Sequence, residues 1–147
     1  MIWRKKKIAE KRTVLFVDDD EIVLRSLERG LLDESEFFEQ LFAKSGQEAL
    51  DILQKEQVHI IVTDMRMPGM DGLELLKIVR EKYPHIVMIV LSGYTDMPAL
   101  LEEFNQGEIF EFVPKPWKLE KDLTKIILKA IEHYNLQSKH NIVNQPN

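Results

Sequence analysis

The sequence predicts a doubly wound α/β domain, in which helices cover both faces of a five-stranded parallel sheet to give three layers. Two observations predict this fold class. Short apolar, β-prone runs alternate five times with amphipathic helical segments along the chain, which is the pattern of right-handed strand–helix–strand units. The length of 147 residues and the hydrophobic fraction of 44% suit one domain with a single core-forming sheet.

Each predicted strand is a short apolar run bounded by polar or turn-forming residues, as expected for parallel strands that are buried on both faces. The first run, Val-Leu-Phe-Val, stops abruptly at three aspartates. Glycine or proline residues interrupt the chain after the later runs. The predicted strands cover residues 14–17, 37–43, 59–63, 86–91 and 109–113.

The helices between these strands are predicted from apolar residues at helical spacing and from capping residues. Asp20 is the expected N-cap of the first helix, and Ser45 with Glu48 forms a capping box for the second. A fourth helix is predicted over 96–106, with Gly107 as its stop signal. The last helix, over 118–136, has the clearest apolar stripe, which contains Leu119, Leu123, Ile126, Ile127, Ala130 and Tyr134.

The chain is predicted to hold one domain, 13–136, between a basic N-terminal arm, 1–12, and a polar C-terminal tail, 137–147. We interpret the arm as a solvated segment, with docking to a partner or a nucleic acid as the alternative. The net charge of −5 argues against nonspecific nucleic-acid binding by the domain. Because the chain has no cysteine and no apolar run of membrane-spanning length, we expect a cytoplasmic protein without a membrane segment.

Polar side chains suited to phosphate or metal binding follow four of the predicted strands. They are Asp18, Asp19 and Asp20 after the first strand, Asp64 after the third, Ser92 after the fourth and Lys115 after the fifth. Because the carboxyl ends of parallel strands meet at one edge of a sheet, these groups are expected to converge there. Each has a plainer interpretation when taken alone, as a helix cap, a turn residue or a solvated lysine. Their joint placement at one edge favours a functional site.

The groups in this expected site are those of phosphoryl-transfer chemistry. Crowded carboxylates repel each other and call for a hard cation, and Mg²⁺ fits because it takes one or two carboxylates and keeps several waters. A carboxylate can attack phosphorus to form an aspartyl phosphate. The cation, Lys115 and the Ser92 hydroxyl would each stabilise a charged phosphoryl oxygen. The sequence contains no dinucleotide-binding, Walker A or EF-hand pattern.

With these residues in view, the segment 13–135 resembles the receiver domains of bacterial two-component response regulators. Val17–Asp20 is similar to the acidic cluster of that family, and Asp64–Gly72 resembles its phosphorylation loop. Ser92-Gly93 matches the switch hydroxyl and the small residue after it, and Lys115-Pro116 matches the family's lysine with its proline. The resemblance implies a flavodoxin-like fold of five strand–helix units.

The resemblance also implies roles in phosphorylation and switching. Asp64 is the phosphoryl acceptor, and Lys115 pairs with the phosphoryl group. Ser92 binds a phosphoryl oxygen and repositions on activation, and Phe112 occupies the aromatic switch position. The cofactor implied is Mg²⁺.

For the metal, the resemblance implies a particular ligand set. Asp19, Asp64 and the backbone carbonyl of Arg66 ligate Mg²⁺, and Asp18 acts through a water molecule. Asp20 is not among these ligands.

Several positions depart from the commonest pattern of the family. Serine replaces threonine at position 92, and phenylalanine replaces tyrosine at position 112. Pro114 precedes the lysine, and Trp117 stands where phenylalanine is common. The stretch 105–117 is similar to receivers joined to HD-GYP cyclic-di-GMP phosphodiesterase domains.

The predicted function is that of a signalling module and not of an enzyme with a separate substrate. It would take a phosphoryl group from a sensor histidine kinase, a phosphotransfer protein or a small donor, and later hydrolyse it without help. Phosphorylation is expected to change the 96–136 face, formed by the fourth helix, the fifth strand and the last helix. An output domain, a partner or a second copy of the chain would dock there.

Two other functional classes fit the same fold class. A magnesium-dependent phosphatase with an aspartyl nucleophile usually carries a second aspartate two residues later, and here that position is Arg66. A flavodoxin-like electron carrier needs a Ser/Thr/Gly-rich phosphate loop after the first strand. This chain has three aspartates there, which would repel a flavin phosphate.

Overall fold

The structure is a computed structural model, and it describes residues 11–34, 36–114 and 120–144. Within these ranges the chain alternates between parallel strands and helices, and the predicted α/β fold is confirmed. The strands are β1 (Arg12–Val17), β2 (Phe38–Ala43), β3 (Ile60–Asp64), β4 (Val87–Ser92) and β5 (Glu111–Pro114). The helices are α1 (Glu21–Gly30), α2 (Gly46–Lys55), α3 (Gly72–Lys82), α4 (Met97–Glu103) and α5 (Glu120–Asn144). Short 3₁₀ turns lie at Leu32–Glu34 and Tyr94–Asp96.

The order of the strands determines where a ligand can bind. The sheet runs β2-β1-β3-β4-β5 and all its neighbours are parallel. From β1 the chain crosses first to one side and then returns past β1 to the other, so the strand order reverses between β1 and β3. In open parallel sheets, ligands bind outside the carboxyl ends of the strands at such a reversal. Asp18 and Asp64 lie at this point.

The sheet separates two apolar layers, because successive residues of a strand point to opposite faces. The layer on one face is covered by α2, α3 and α4, and we call it the α2–α4 layer. The layer on the other face is covered by α1 and α5, and we call it the α1/α5 layer. In β1, for example, Leu15 belongs to the α2–α4 layer and Phe16 to the α1/α5 layer, and both are fully buried.

Both predicted N-caps are confirmed. The Asp20 carboxylate accepts a hydrogen bond from the Ile22 N–H at 2.9 Å. The Ser45 hydroxyl accepts one from the Glu48 N–H at 3.0 Å. The carboxylate of Glu48 reaches back to the N–H of Lys44, one residue earlier than in the standard capping box.

The predicted boundaries of the fourth helix and the fifth strand were less accurate. The helix predicted over 96–106 spans only Met97–Glu103, and the strand predicted over 109–113 spans Glu111–Pro114. Gly107 does not end the helix directly: it lies in the following turn with φ of 92°, a conformation that glycine adopts without steric cost.

Two elements extend past the limits predicted for the domain. Arg12, assigned to the N-terminal arm, is the first residue of β1, while residues 1–10 of that arm lie outside the described residues. The last helix continues to Asn144, through most of the predicted tail. Because no glycine or proline interrupts the chain between 120 and 144, a solvated helix can continue there without an apolar stripe. Among the described residues, no helix combines the length and apolar character that a membrane crossing requires.

Candidate functional site

Three carboxylates converge at the reversal point of the sheet. Oxygen atoms of Asp18, Asp19 and Asp64 all lie within 4.8 Å of one another. Asp18 and Asp64 are buried, with 2% and 6% of their surface exposed, whereas Asp19 is open to solvent. The predicted meeting of the first and third strand ends is therefore confirmed, and one side of the cluster faces solvent.

The loop after β1 divides its three aspartates between two tasks. The Asp18 Oδ1 atom accepts a hydrogen bond from the Asp20 N–H at 2.9 Å, which folds the loop over its own first carboxylate. The side chain of Asp20 turns away and caps α1. Asp20 is therefore engaged as a helix cap, as expected, while the carboxylates of Asp18 and Asp19 lie beside that of Asp64.

The loop after β3 fixes the Asp64 side chain. Its Oδ1 atom accepts a hydrogen bond from the Met65 N–H at 2.9 Å. The Thr63 hydroxyl donates to the Asp64 backbone carbonyl at 2.9 Å in a fully buried position. At the far end of the loop, the Asp71 carboxylate accepts from the Glu74 N–H and caps α3. Asp64 is therefore held at its backbone and at one of its carboxylate oxygens.

The ends of β4 and β5 reach the same edge of the sheet. Asp64 pairs with Leu91, so Ser92 lies one residue beyond that pair, and Ser92 in turn pairs with Pro114. Ser92 is buried, and its hydroxyl lies 4.0 Å from the sulfur of Met97. The chain leaves β5 at this point, and the predicted site residue Lys115 lies outside the described residues.

Phe112, the predicted aromatic switch residue, is half-buried and packs against the α2–α4 layer. It lines a groove of about 670 Å³ together with residues of α4 and of the loop before β5, including Leu101 and Phe104. Leu101 is 64% exposed at this groove. The Phe112 ring therefore lies on the predicted signalling face, beside α4.

One connection at the site was missed by sequence reasoning. The Arg66 guanidinium donates from Nε to Asp96 Oδ1 at 3.1 Å and from Nη2 to the Thr95 hydroxyl at 2.8 Å. It thereby joins the loop that follows Asp64 to the turn that follows Ser92. The prediction assigned only the backbone carbonyl of Arg66. No sequence signal identifies the pair, because the partners are about thirty residues apart in the chain and meet only in the folded sheet.

The donor set of the carboxylate cluster fits Mg²⁺. Carboxylate oxygens are hard ligands that magnesium accepts, and the open side at Asp19 leaves room for the waters that this ion keeps. Softer metals that require thiolates have no ligands here, since the sequence contains no cysteine. The cluster can therefore hold a hard divalent cation beside the Asp64 carboxylate.

Comparison with known proteins matches nearly the same part of the chain as the resemblance noted in the sequence, 13–135. Residues 14–128 match the protein-family model described as the response regulator receiver domain. The hydrogenase transcriptional regulatory protein HoxA of Cupriavidus necator is 38% identical over 130 residues, which are 88% of this chain and 26% of that protein. The chain spans about a quarter of the length of the curated relatives it matches.

Solved structures share the fold over most of this chain. A crystal structure described as adenylate cyclase from Rhodopirellula baltica has a TM-score of 0.81 and 34% identity, and covers 92% of this chain and 99% of its own. The signal receiver domain of an HD domain-containing protein from Pseudomonas fluorescens Pf-5 has a TM-score of 0.78 and 28% identity, with 86% and 98% covered. The resemblance to receivers joined to HD-GYP domains stays a prediction.

Proposed function

Since this chain belongs to the family of response regulator receiver domains, we propose that it is a phosphorylation-controlled switch with Asp64 as its phosphoryl acceptor. The observation that carries the proposal is the cluster of Asp18, Asp19 and Asp64 at the strand-order reversal. Asp64 is buried and is held at its backbone carbonyl and at one carboxylate oxygen, as a nucleophile with a fixed line of attack requires. Asp19 lies beside it and is exposed, so it is suited to act as a metal ligand.

In this proposal Asp19, Asp64 and the backbone carbonyl of Arg66 would hold Mg²⁺, and Asp18 would act on it through water. When bound, the ion offsets the negative charge of the phosphoryl oxygens beside the carboxylates. Asp18 keeps the acidic loop in shape through its bond to the Asp20 amide. The cluster and its cofactor then form one binding surface for the incoming group.

The reaction is a transfer between two nucleophiles. A carboxylate oxygen of Asp64 forms a bond to the phosphorus of a phosphohistidine on a sensor kinase or phosphotransfer protein, and the phosphorus–nitrogen bond breaks. The leaving imidazole keeps the electron pair and takes up a proton. In a second step a water oxygen attacks the same phosphorus, the bond to Asp64 breaks with its electron pair left on the carboxylate, and inorganic phosphate leaves with the protons of the water. The domain thus hydrolyses its own phosphoryl group and acts on no separate substrate.

The phosphoryl group is read out at Ser92 and Phe112. The hydroxyl of Ser92, whose neighbour in the structure is the Met97 sulfur, moves to bind a phosphoryl oxygen. The space it leaves allows the half-buried ring of Phe112 to turn inward, a gain of roughly 1 kcal/mol from the additional apolar burial. A free energy of this size shifts a population between two states and does not create a new fold.

The 96–136 face transmits the change to an output domain, a partner or a second copy of the chain. Similarity to a receiver of an HD domain-containing protein supports an HD-type output, in keeping with the sequence resemblance to receivers joined to HD-GYP domains. Similarity to HoxA supports transcriptional control instead. Assay of the full gene product for cyclic-di-GMP hydrolysis, with and without a phosphodonor, distinguishes the two.

The test of the acceptor is covalent labelling. With Mg²⁺ and acetyl phosphate, the intact chain should gain one phosphoryl group of about 80 Da by mass spectrometry. Asp64→Asn should abolish the gain. Asp71→Asn is the matched control, because Asp71 lies in the same loop and caps α3 outside the carboxylate cluster. Labelling of Asp64→Asn at the wild-type rate would show that another residue is the acceptor.

A further inference from the structure

The turn after Ser92 is closed by one carboxylate. Asp96 Oδ2 accepts a hydrogen bond from the Gly93 N–H at 2.9 Å, and the Asp96 N–H donates to the Gly93 carbonyl at 3.1 Å. These two bonds tie both ends of the segment 93–96 together. The position of Ser92, directly before it, depends on this closed turn.

Asp96 occupies the N-cap position of α4 but does not cap the helix. Its backbone is in the right-handed helical region, with φ −86° and ψ −22°, and its side chain makes no capping hydrogen bond. An aspartate at this position ordinarily accepts from the first amides of its helix. Here the carboxylate points the other way, with one oxygen on Gly93 and the other on Arg66.

Arg66 is the other partner in this contact, and its side chain has room to move away from Asp96. Its side chain is 73% exposed, whereas that of Asp96 is only 10% exposed. Its backbone lies two residues after Asp64. A guanidinium can bind phosphate oxygens in the same paired geometry in which it binds a carboxylate. A phosphoryl group on Asp64 would therefore be a second, nearby anion for the same side chain.

We propose that Arg66 and Asp96 form a latch that holds the Ser92 turn in its unphosphorylated position, and that the phosphoryl group opens it by competing for Arg66. This inference rests on the proposed phosphorylation of Asp64. Asp96 is a positioning residue, which acts on Ser92 through the Gly93 amide. Once Arg66 turns to the phosphoryl group, the turn loses one of its restraints and Ser92 can move toward the same anion.

The latch is weak, as a reversible switch requires. An ion pair with one exposed partner changes a two-state population by about fivefold at most. The unphosphorylated domain with a broken latch should therefore populate the active arrangement several times more often than the wild type. It should not adopt that arrangement completely.

The experiment compares Arg66→Gln and Asp96→Asn with wild type, using beryllofluoride as the phosphoryl mimic. Asn at position 96 can still accept from Gly93 but carries no charge for Arg66. In NMR spectra of the unphosphorylated variants, the amide signals of Ser92 and Phe112 should move part of the way along the line from the free to the beryllofluoride-bound wild type. The double variant should move no further than the single ones, because both changes break one contact.

Lys77→Gln is the control, since it removes an exposed cation whose partner, Glu103, lies at the opposite end of α4. It should leave the signals of Ser92 and Phe112 in place. If both latch variants also leave them in place while wild type binds beryllofluoride, the latch is refuted and the acceptor proposal stands. If wild-type chain binds no beryllofluoride at all in the presence of Mg²⁺, the proposed function itself fails.

Discussion

A β-carbon on Gly72 would lie only 2.2 Å from the backbone carbonyl oxygen of Asp64 and 2.8 Å from the α-carbon of Met65. The N–H of Gly72 also donates to the Met65 carbonyl at 2.9 Å. The first residue of α3 therefore packs directly against the loop that carries the acceptor. No larger residue fits this position unless the loop or the helix moves.

Gly72→Ala should consequently weaken both stability and phosphorylation. The backbone must shift to make room for the added methyl group, which should lower the free energy of unfolding by about 1–3 kcal/mol. The same shift should move Asp64 away from the other two carboxylates. Urea unfolding and acetyl phosphate labelling measure the two effects. The control is Gly93→Ala, whose β-carbon would meet nothing closer than the Asp96 carboxylate at 3.8 Å. Equal behaviour of the two variants would contradict the packing argument.

The adjacent aspartates 19 and 20 should have separable roles. Asp19→Ala removes a member of the carboxylate cluster, so Mg²⁺ affinity measured by calorimetry should fall by at least about tenfold, with the free energy of unfolding little changed. Asp20→Ala removes the N-cap of α1 and should cost about 0.5–2 kcal/mol of stability while leaving Mg²⁺ affinity close to wild type. An unchanged affinity in Asp19→Ala would remove this residue from the ligand set.

His59 should make stability depend on pH below neutrality. It is 5% exposed, its Nδ1 atom accepts from the Thr13 N–H at 2.9 Å, and its ring meets Tyr134 edge-on. Burial, followed by the charges of Arg12 and His85, lowers its pKa to about 4. Between about pH 6.5 and 4 the unfolded chain therefore binds a proton that the folded chain does not.

The stabilisation linked to His59 is thus fully present above about pH 6.5 and is lost as the pH falls toward 4, to a total of about 3 kcal/mol. His59→Gln keeps a hydrogen-bond acceptor but cannot titrate. Denaturant unfolding at several pH values should give a flatter profile for this variant in that window. Profiles of identical slope would show that other groups govern the acid sensitivity.

Arg80 should anchor the C-terminal end of α4. Its guanidinium bonds to the backbone carbonyl and the carboxylate of Glu103, at 3.1 and 2.7 Å, and lies 4.6 Å from the ring centre of Phe104. The hydrogen bond from Arg80 also lowers the pKa of Glu103. Arg80→Gln should lower Tm and speed amide exchange in α4, whereas Lys77→Gln should have little effect on either. Unchanged exchange at Leu100 would contradict the anchoring role.

The residues that mark the site were predictable because they follow from strand position alone. Asp18, Asp64 and Ser92 each come at or directly after the end of an apolar run, and parallel pairing then brings the runs' ends to one edge. The two N-caps were predictable for a similar reason, since capping depends on residues only two or three positions apart.

Features that depend on side-chain reach or on solvation were not predictable. The contact of Arg66 with Asp96 requires two loops to lie at a particular distance, and the sequence pattern carries no such distance. The length of α5 was underestimated because apolar periodicity detects the buried side of a helix. Beyond Tyr134 the helix has no buried residue among those whose side chains are described, so the pattern stops before the helix does.

Neighbouring residues of β5 belong to different halves of the molecule: Phe112 packs in the α2–α4 layer and Val113 in the α1/α5 layer. A rearrangement around Phe112 can therefore displace α4 while α5 stays on its own, unaltered packing. A binding partner that touches both helices would therefore contact one helix that moves, α4, and one that does not, α5. Such a partner would recognise the position of α4 relative to α5. The side chains that each helix exposes can stay the same in both states of the domain.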